Sequence, residues 1–278
     1  MPKLDLTPEF QKRVIAIAGE PRGRAWLSAL PSLVDDLSVR WDLDDLSVLS
    51  NSYHLVALTK SAVLKICAPQ GDADREYEAL IAFQGPGFVR LLAHDDAHQA
   101  LLMERIEPGA TLAEMEDDER ATEIAADVFK AVHRPAEGPF PDIHRWGAAL
   151  FDVSLPSPLL EEVRALWREL TASSEEPVLC HGDLHQFNIL DGGERGWVAI
   201  DPKGVFAEPA FETGAFLRNL TERDQKRRIA IFAKRLGHDE ERIRKWAFAQ
   251  AVLSACWCVQ DGDDWEGAVR NAEQFRTA

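Results

Sequence analysis

No stretch of this chain approaches the ~18 uncharged apolar residues that a membrane span needs. The N-terminus, Met1-Pro2-Lys3-Leu4-Asp5, carries an early acid and no apolar run, unlike a signal peptide. Cysteine is scarce. Cys67, Cys180, Cys256 and Cys258 form no CxxC pair and have no histidine at zinc-ligand spacing, which argues against a metal or redox motif and for reduced thiols in a cytoplasmic protein. Positive charge is also short: 31 Lys and Arg face 47 Asp and Glu, for a formal net charge of −16. Such a surface repels nucleic acid and attracts cations, although plain solubility accounts for the same imbalance. Tyrosine occurs only twice, and the tryptophans fall mostly at core helical spacing, so no aromatic cage for a quaternary ammonium stands out. Repeats and low-complexity runs are missing as well.

What is present is enough apolar material, 46% of 278 residues, for one large domain or two lobes. Residues 8 to 40 read as helical, with Pro21 and Pro31 expected to break the segment. Strand-like runs follow at Tyr53–Thr59, Ala62–Cys67 and Ala100–Ile106, with a helix over Asp72–Phe83 between them. Glu107-Pro108-Gly109 then punctuates the chain. Beyond it, apolar stripes at helical spacing dominate: Ala121, Ile124, Ala125, Val128, Val132; then Leu159, Val163, Leu166, Trp167, Leu170; then Ile243, Trp246, Ala247, Gln250, Trp257. Two short strand-like runs, Val178–His181 and Trp197–Ile200, interrupt the helices. The outline is α+β: a small sheet lobe over residues 1–105, and a larger helical lobe over 106–278. A nucleotide cleft between two lobes fits that outline.

The chemistry concentrates in His181-Gly182-Asp183-Leu184-His185-Gln186-Phe187-Asn188, followed by Ala199-Ile200-Asp201-Pro202. Phosphoryl transfer needs a group to orient the attacking hydroxyl and oxygen ligands for Mg²⁺. Asp183 can accept the hydroxyl proton, while Asn188 and Asp201 supply the hard oxygens that Mg²⁺ prefers. A lone Asp beside Gly or Pro is ordinary turn chemistry. The whole constellation is not.

At these residues the chain resembles the aminoglycoside phosphotransferase family, whose fold is protein-kinase-like, with Gly182 in the second loop position as in the antibiotic kinases. Trp197 through Gly204, with Trp41, Leu64-Lys65, Leu102-Met103-Glu104-Arg105 and Pro108-Gly109, is similar to one branch, the streptomycin 6-phosphotransferases and hydroxyurea-resistance kinases. The resemblance implies an ATP- and Mg²⁺-dependent kinase acting on a hydroxyl of a small cationic acceptor, streptomycin-like or related. A metabolic kinase of the same fold and a catalytically dead nucleotide-binding module are the alternatives. From the charge, the missing apolar span and the cysteines, no nucleic-acid or membrane partner and a cytoplasmic location are expected, for a monomer or a homodimer.

The resemblance also places the phosphate-gripping lysine at Lys65. Strand alternation supports this, because Lys65 shares a face with Val63 and Cys67. Glu76, on one helical stripe with Leu80 and Phe83, matches the partner glutamate. Met103, Glu104 and Ile106 occupy the adenine hinge, and the phosphate-covering turn is Ser50-Asn51-Ser52, with Ser52 the nucleotide contact. Pro209-Ala210-Phe211-Glu212 stands where the family often has Tyr-Asp-Leu-Ala, so Glu212 replaces an Asp that braces the catalytic loop. His181 is expected to order that loop, and His133 to end a helix.

For the cationic acceptor, the acids near the C-terminus are candidates, Asp263 and Asp264 first among Asp261, Asp263, Asp264 and Glu266. The competing reading is a solvated acidic turn.

Overall fold

The structure, a computed structural model, describes residues 4, 6–49, 54–69 and 75–276. Its Cα framework divides into two compact units, Met1–Gln84 with Val89–Ile106, and Gly85–Phe88 with Glu107–Ala278.

In the first unit, Thr7 accepts a hydrogen bond from the Phe10 N–H at 3.2 Å and Pro8 fills the first turn, so helix α1 runs Pro8–Ala18. The chain turns at Gly19 and α2 follows over Glu20–Arg40. The segment breaks at Gly19, two residues before Pro21, in keeping with the break expected there, whereas the break expected at Pro31 does not occur. Pro21 sits in the first turn of α2, where its missing N–H costs nothing, and the helix passes through Pro31. Leu30 and Val34, buried on either side, hold that stretch helical at the expense of one backbone bond.

Strands β1 (Ser47–Leu49), β2 (Leu55–Leu58), β3 (Ala62–Ile66), β4 (Leu91–Asp95) and β5 (Ala100–Glu104) form an antiparallel sheet in the order β1-β2-β3-β5-β4. Helix α3 (Arg75–Ala82) comes between β3 and β4 in the chain. The edge strands β1 and β4 are the two that the sequence pattern does not reveal, because half-solvated edges need no apolar run. Leu55, Ala57, Leu64, Ile66 and Ala100 join Phe10, Val14, Leu30, Val34 and Leu37 in one core between sheet and helices. Strand alternation sends the cross-strand row Val56, Lys65 and Leu101 to the opposite face.

The second unit contains α4 (Asp118–Val132), β6 (Arg134–Pro135), α5 (Ile143–Trp146), α6 (Ala149–Asp152), α7 (Leu159–Ala172), β7 (Val178–Cys180), β8 (Ile189–Asp191), β9 (Trp197–Ala199), β10 (Val205–Ala207), α8 (Thr213–Leu217), α9 (Gln225–Leu236), α10 (Glu240–Asp261) and α11 (Trp265–Arg276). Helix α10 is central, packed by α7, α8, α9 and α11 and buried on most of its sides. Trp167, Phe211 and Trp246 meet edge to face around it, with centroids 5.3 to 6.4 Å apart. Two small antiparallel ladders, β6-β7-β10 and β8-β9, carry the loops described next. The architecture is α+β. Among the described residues no helix is long and apolar enough to cross a membrane.

Candidate active site

Strand β7 delivers the chain into the loop that follows Cys180. Gly182 has φ 87°, and a Cβ there would lie 3.2 Å from Val205 and 3.3 Å from Trp146, so glycine meets both a backbone and a packing demand. His181 orders what surrounds it. Its Nδ1 accepts from the Asp183 N–H at 3.3 Å, and its Nε2 lies 2.8 Å from the Ile200 carbonyl. Those partners require a neutral ring with the proton on Nε2, and burial pushes its pKa down in the same sense. Its carbonyl accepts the N–H groups of Lys203 and Gly204 at 2.9 and 3.0 Å. His181 is thus a hub of the loop rather than a proton carrier.

Glu212, fully buried, accepts the His181 N–H at 2.6 Å on one oxygen and the Gly182 N–H at 3.1 Å on the other. The longer side chain still reaches the loop, and both bonds are charge-assisted. His133 caps the end of α4 and lies 3.8 Å from the same carboxylate.

Asp183 and Asn188 share the loop after β7, and the β8-β9 ladder brings the residue before Asp201 against it: Ile189 pairs with Ala199, and the Ile200 N–H donates to the Asn188 carbonyl at 3.0 Å. The Asn188 side-chain amide donates to the Asp183 carbonyl at 2.9 Å, directing its oxygen the other way. Asp201 holds φ 59°, a left-handed conformation uncommon for a non-glycine residue and frequent at functional sites. Lys203 donates to its Oδ1 at 2.9 Å.

The Asp183 carboxylate has a neighbour on each oxygen. Arg218 Nη2 donates to Oδ1 at 2.5 Å, and His185 Nε2 lies 3.6 Å from Oδ2. Burial alone would raise this carboxyl's pKa; His185, Arg218 and Lys203 together outweigh burial and hold it well below the usual carboxylate range.

In the first unit, Lys65 Nζ lies 2.6 Å from Glu76 Oε2, both side chains only 7% exposed. A charge this deep needs its partner, because losing either one strands the other in low dielectric. Met103 and Glu104 end β5, and Ile106 follows, buried. The Glu104 carboxylate accepts the Arg90 backbone N–H at 3.0 Å and pairs with the Arg90 guanidinium at 2.8 Å. Its side chain braces β5 against the start of β4. Ser52 lies outside the described residues.

The acidic cluster divides. Asp264 caps α11, accepting the Gly267 N–H at 3.0 Å, and is largely exposed. Asp263 is exposed beside it. Asp261 is exposed, and partial desolvation of its carboxyl together with the charge of Asp263 raises its pKa. Burial also pushes up the Cys258 thiol, helped by Asp263, Asp261 and Asp264 and opposed by Arg218. The cluster follows on the last turn of α10, the helix whose Trp257 ring lies under the Arg218 guanidinium.

Arg218 is the residue the sequence reading misses. Its trace was visible as a single cation after the apolar run Ala215-Phe216-Leu217, although nothing local names its partner.

The family model for aminoglycoside/hydroxyurea antibiotic resistance kinases matches residues 48–262. The chain is 36% identical over 218 residues to a streptomycin 3''-kinase of Klebsiella pneumoniae, covering 72% of this chain and 81% of the relative. To a streptomycin 6-kinase of Streptomyces glaucescens it is 30% identical over 287 residues, covering 94% and 93%. Among solved structures, a choline kinase from Streptococcus pneumoniae superposes with a TM-score of 0.68 at 17% identity, covering 88% of this chain and 99% of that one. That likeness fixes the protein-kinase-like fold. With the loop, the ladder and these matches together, the chain belongs to the aminoglycoside/hydroxyurea antibiotic resistance kinase family.

Proposed function

We propose that this kinase transfers the γ-phosphate of ATP to a hydroxyl of a small cationic acceptor of the aminoglycoside type. The observation that supports the reading is the braced loop that carries Asp183 and Asn188, bonded through the Ile200 N–H to the strand end that leads into Asp201. Transfer of this kind is mostly positioning and charge neutralisation, and these residue types suit both.

Asp183 orients the acceptor hydroxyl and receives its proton as the oxygen attacks phosphorus. Lys65, steadied by Glu76, grips the nucleotide phosphates. Backbone groups at Glu104 and Ile106 meet the adenine edge, with Met103 against the ring. The oxygens of Asn188 and Asp201, one amide and one carboxylate, fit Mg²⁺, a hard cation that binds through few protein ligands and keeps phosphate oxygens in its shell. Bound there, Mg²⁺ would neutralise charge on the transferring phosphoryl group. Net charge of −16 favours a cationic acceptor.

The relatives named for 3''- and 6-kinase activity on streptomycin set the test. The enzyme is assayed for ATP consumption against streptomycin, other aminoglycosides, hydroxyurea, choline and small amino alcohols, with products read by mass and NMR. Acceptor-dependent phosphorylation of streptomycin or a related aminoglycoside is expected, and NMR assigns the hydroxyl. Turnover confined to choline or an amino alcohol would replace the reading with a metabolic kinase. Nucleotide binding without any acceptor-dependent transfer would overturn it. Asp201→Asn and Asn188→Ala should both shift the Mg²⁺ titration of activity to higher concentration, Asp201→Asn further.

A further inference from the structure

We propose that Arg218 is a positioning residue for phosphoryl transfer: it pins one oxygen of Asp183, so that the carboxylate presents its other oxygen to the acceptor hydroxyl. The proposal rests on the kinase reading above and adds a residue to it.

The geometry is specific. Arg218 closes α8, its backbone N–H bonded to the Gly214 carbonyl at 3.0 Å, and Nη2 reaches Asp183 Oδ1 at 2.5 Å. The side chain is 13% exposed, and its guanidinium lies over the Trp257 ring, 5.6 Å from the centroid. Trp257 in turn meets Trp146 edge to face at 5.8 Å, and Trp146 packs against Gly182, the residue before Asp183. The cation thus sits in an aromatic seat built by α5, α10 and the loop itself. A planar guanidinium suits that seat and keeps its direction, which a lysine ammonium would not.

Arg218 is also the last of four ties from one short segment to the catalytic loop. Glu212 holds the His181 and Gly182 N–H groups, the Phe216 carbonyl accepts from Gln186 at 3.1 Å, and Arg218 holds Asp183. The segment is anchored in turn by Gln250 of α10, whose amide donates to the Phe211 carbonyl. Two of these ties fix loop backbone and one holds the Gln186 side chain. Only Arg218 fixes the functional carboxylate, and with Oδ1 engaged there, Oδ2 faces His185 at 3.6 Å. A loose phosphoryl-transfer transition state depends on how the nucleophile is held, so fixing this rotor acts on turnover rather than on nucleotide binding.

The test uses the full-length enzyme with its best acceptor and measures kcat and both KM values for Arg218→Ala, Arg218→Lys and the wild type, with thermal unfolding recorded for each. Arg218→Ala is expected to lose ~100-fold in kcat with nucleotide KM unchanged, and added ethylguanidinium should restore part of the loss. Arg218→Lys, the milder change, should lose about tenfold, again in kcat alone. In an Asp183→Asn background, Arg218→Lys should cost almost nothing further. Wild-type kcat in Arg218→Lys, losses that multiply with Asp183→Asn, or a defect confined to nucleotide KM would each overturn the positioning role while leaving the kinase reading intact. An inactive wild type overturns the kinase reading and takes the positioning role with it.

Discussion

Each unit of this protein holds one ion pair among the candidate site residues, and the two are built differently. Lys65–Glu76 joins a strand to the next helix, eleven residues along, at 2.6 Å, with both side chains 7% exposed. Arg218–Asp183 joins a loop to a helix end thirty-five residues away at 2.5 Å, with 13% and 24% exposure. The first pair is sealed by its own secondary structure. The second is tied on one carboxylate oxygen only, the other facing His185 at 3.6 Å and partly exposed, and the segment 209–218 and the tryptophans of α5 and α10 hold it in place. The difference suits the proposed roles: a pair that grips a phosphate can be closed on the protein side, whereas a pair that presents a carboxylate to a substrate needs an accessible face.

The sharpest way to break that comparison is at the open pair. Asp183→Ala removes the group proposed to orient the acceptor and should lower kcat by ~10²- to 10⁴-fold, with nucleotide affinity close to wild type. Steady-state kinetics with equilibrium nucleotide binding checks this, and a variant keeping a tenth of normal kcat would remove Asp183 from the chemistry.

The sealed pair should respond in stability as well. Lys65→Met strands the Glu76 carboxylate in a buried site and should cost about 3–5 kcal/mol in denaturant unfolding. Lys65→Met with Glu76→Leu removes both charges, so most of that stability should return while activity does not. A double variant no more stable than Lys65→Met would mean that the two charges do not compensate each other.

The smallest effect is expected at the acidic cluster at the end of α10. Asp263→Asn with Asp264→Asn keeps a capping side chain at the start of α11, so stability should hardly change. If these acids attract a cationic acceptor, acceptor KM should rise several-fold at low ionic strength, converge with wild type at high salt, and leave nucleotide KM alone. Identical acceptor KM values across the salt series would leave Asp264 with its capping role only.

Local features of the sequence carried much of this. The Asp183, Asn188 and Asp201 spacing lies on one loop and the strand after it, and Lys65 and Glu76 follow strand alternation and helical periodicity across a short interval. Such patterns survive in one dimension because the residues that share a face recur at a fixed period. Edge strands β1 and β4, the unbroken α2 and the short α8 were not legible, since each owes its conformation to neighbours distant in the chain. The sequence by itself determined the α+β class, the catalytic loop and the residue types able to move a phosphate. Only the tertiary structure decided that Glu212 reaches the loop in place of a shorter acid, that Asp264 is a cap, and that Arg218 meets Asp183. These contacts cross three residues in one case and more than thirty in the others, and what fixes each is the direction of a side chain within a packed surface, which no periodicity encodes.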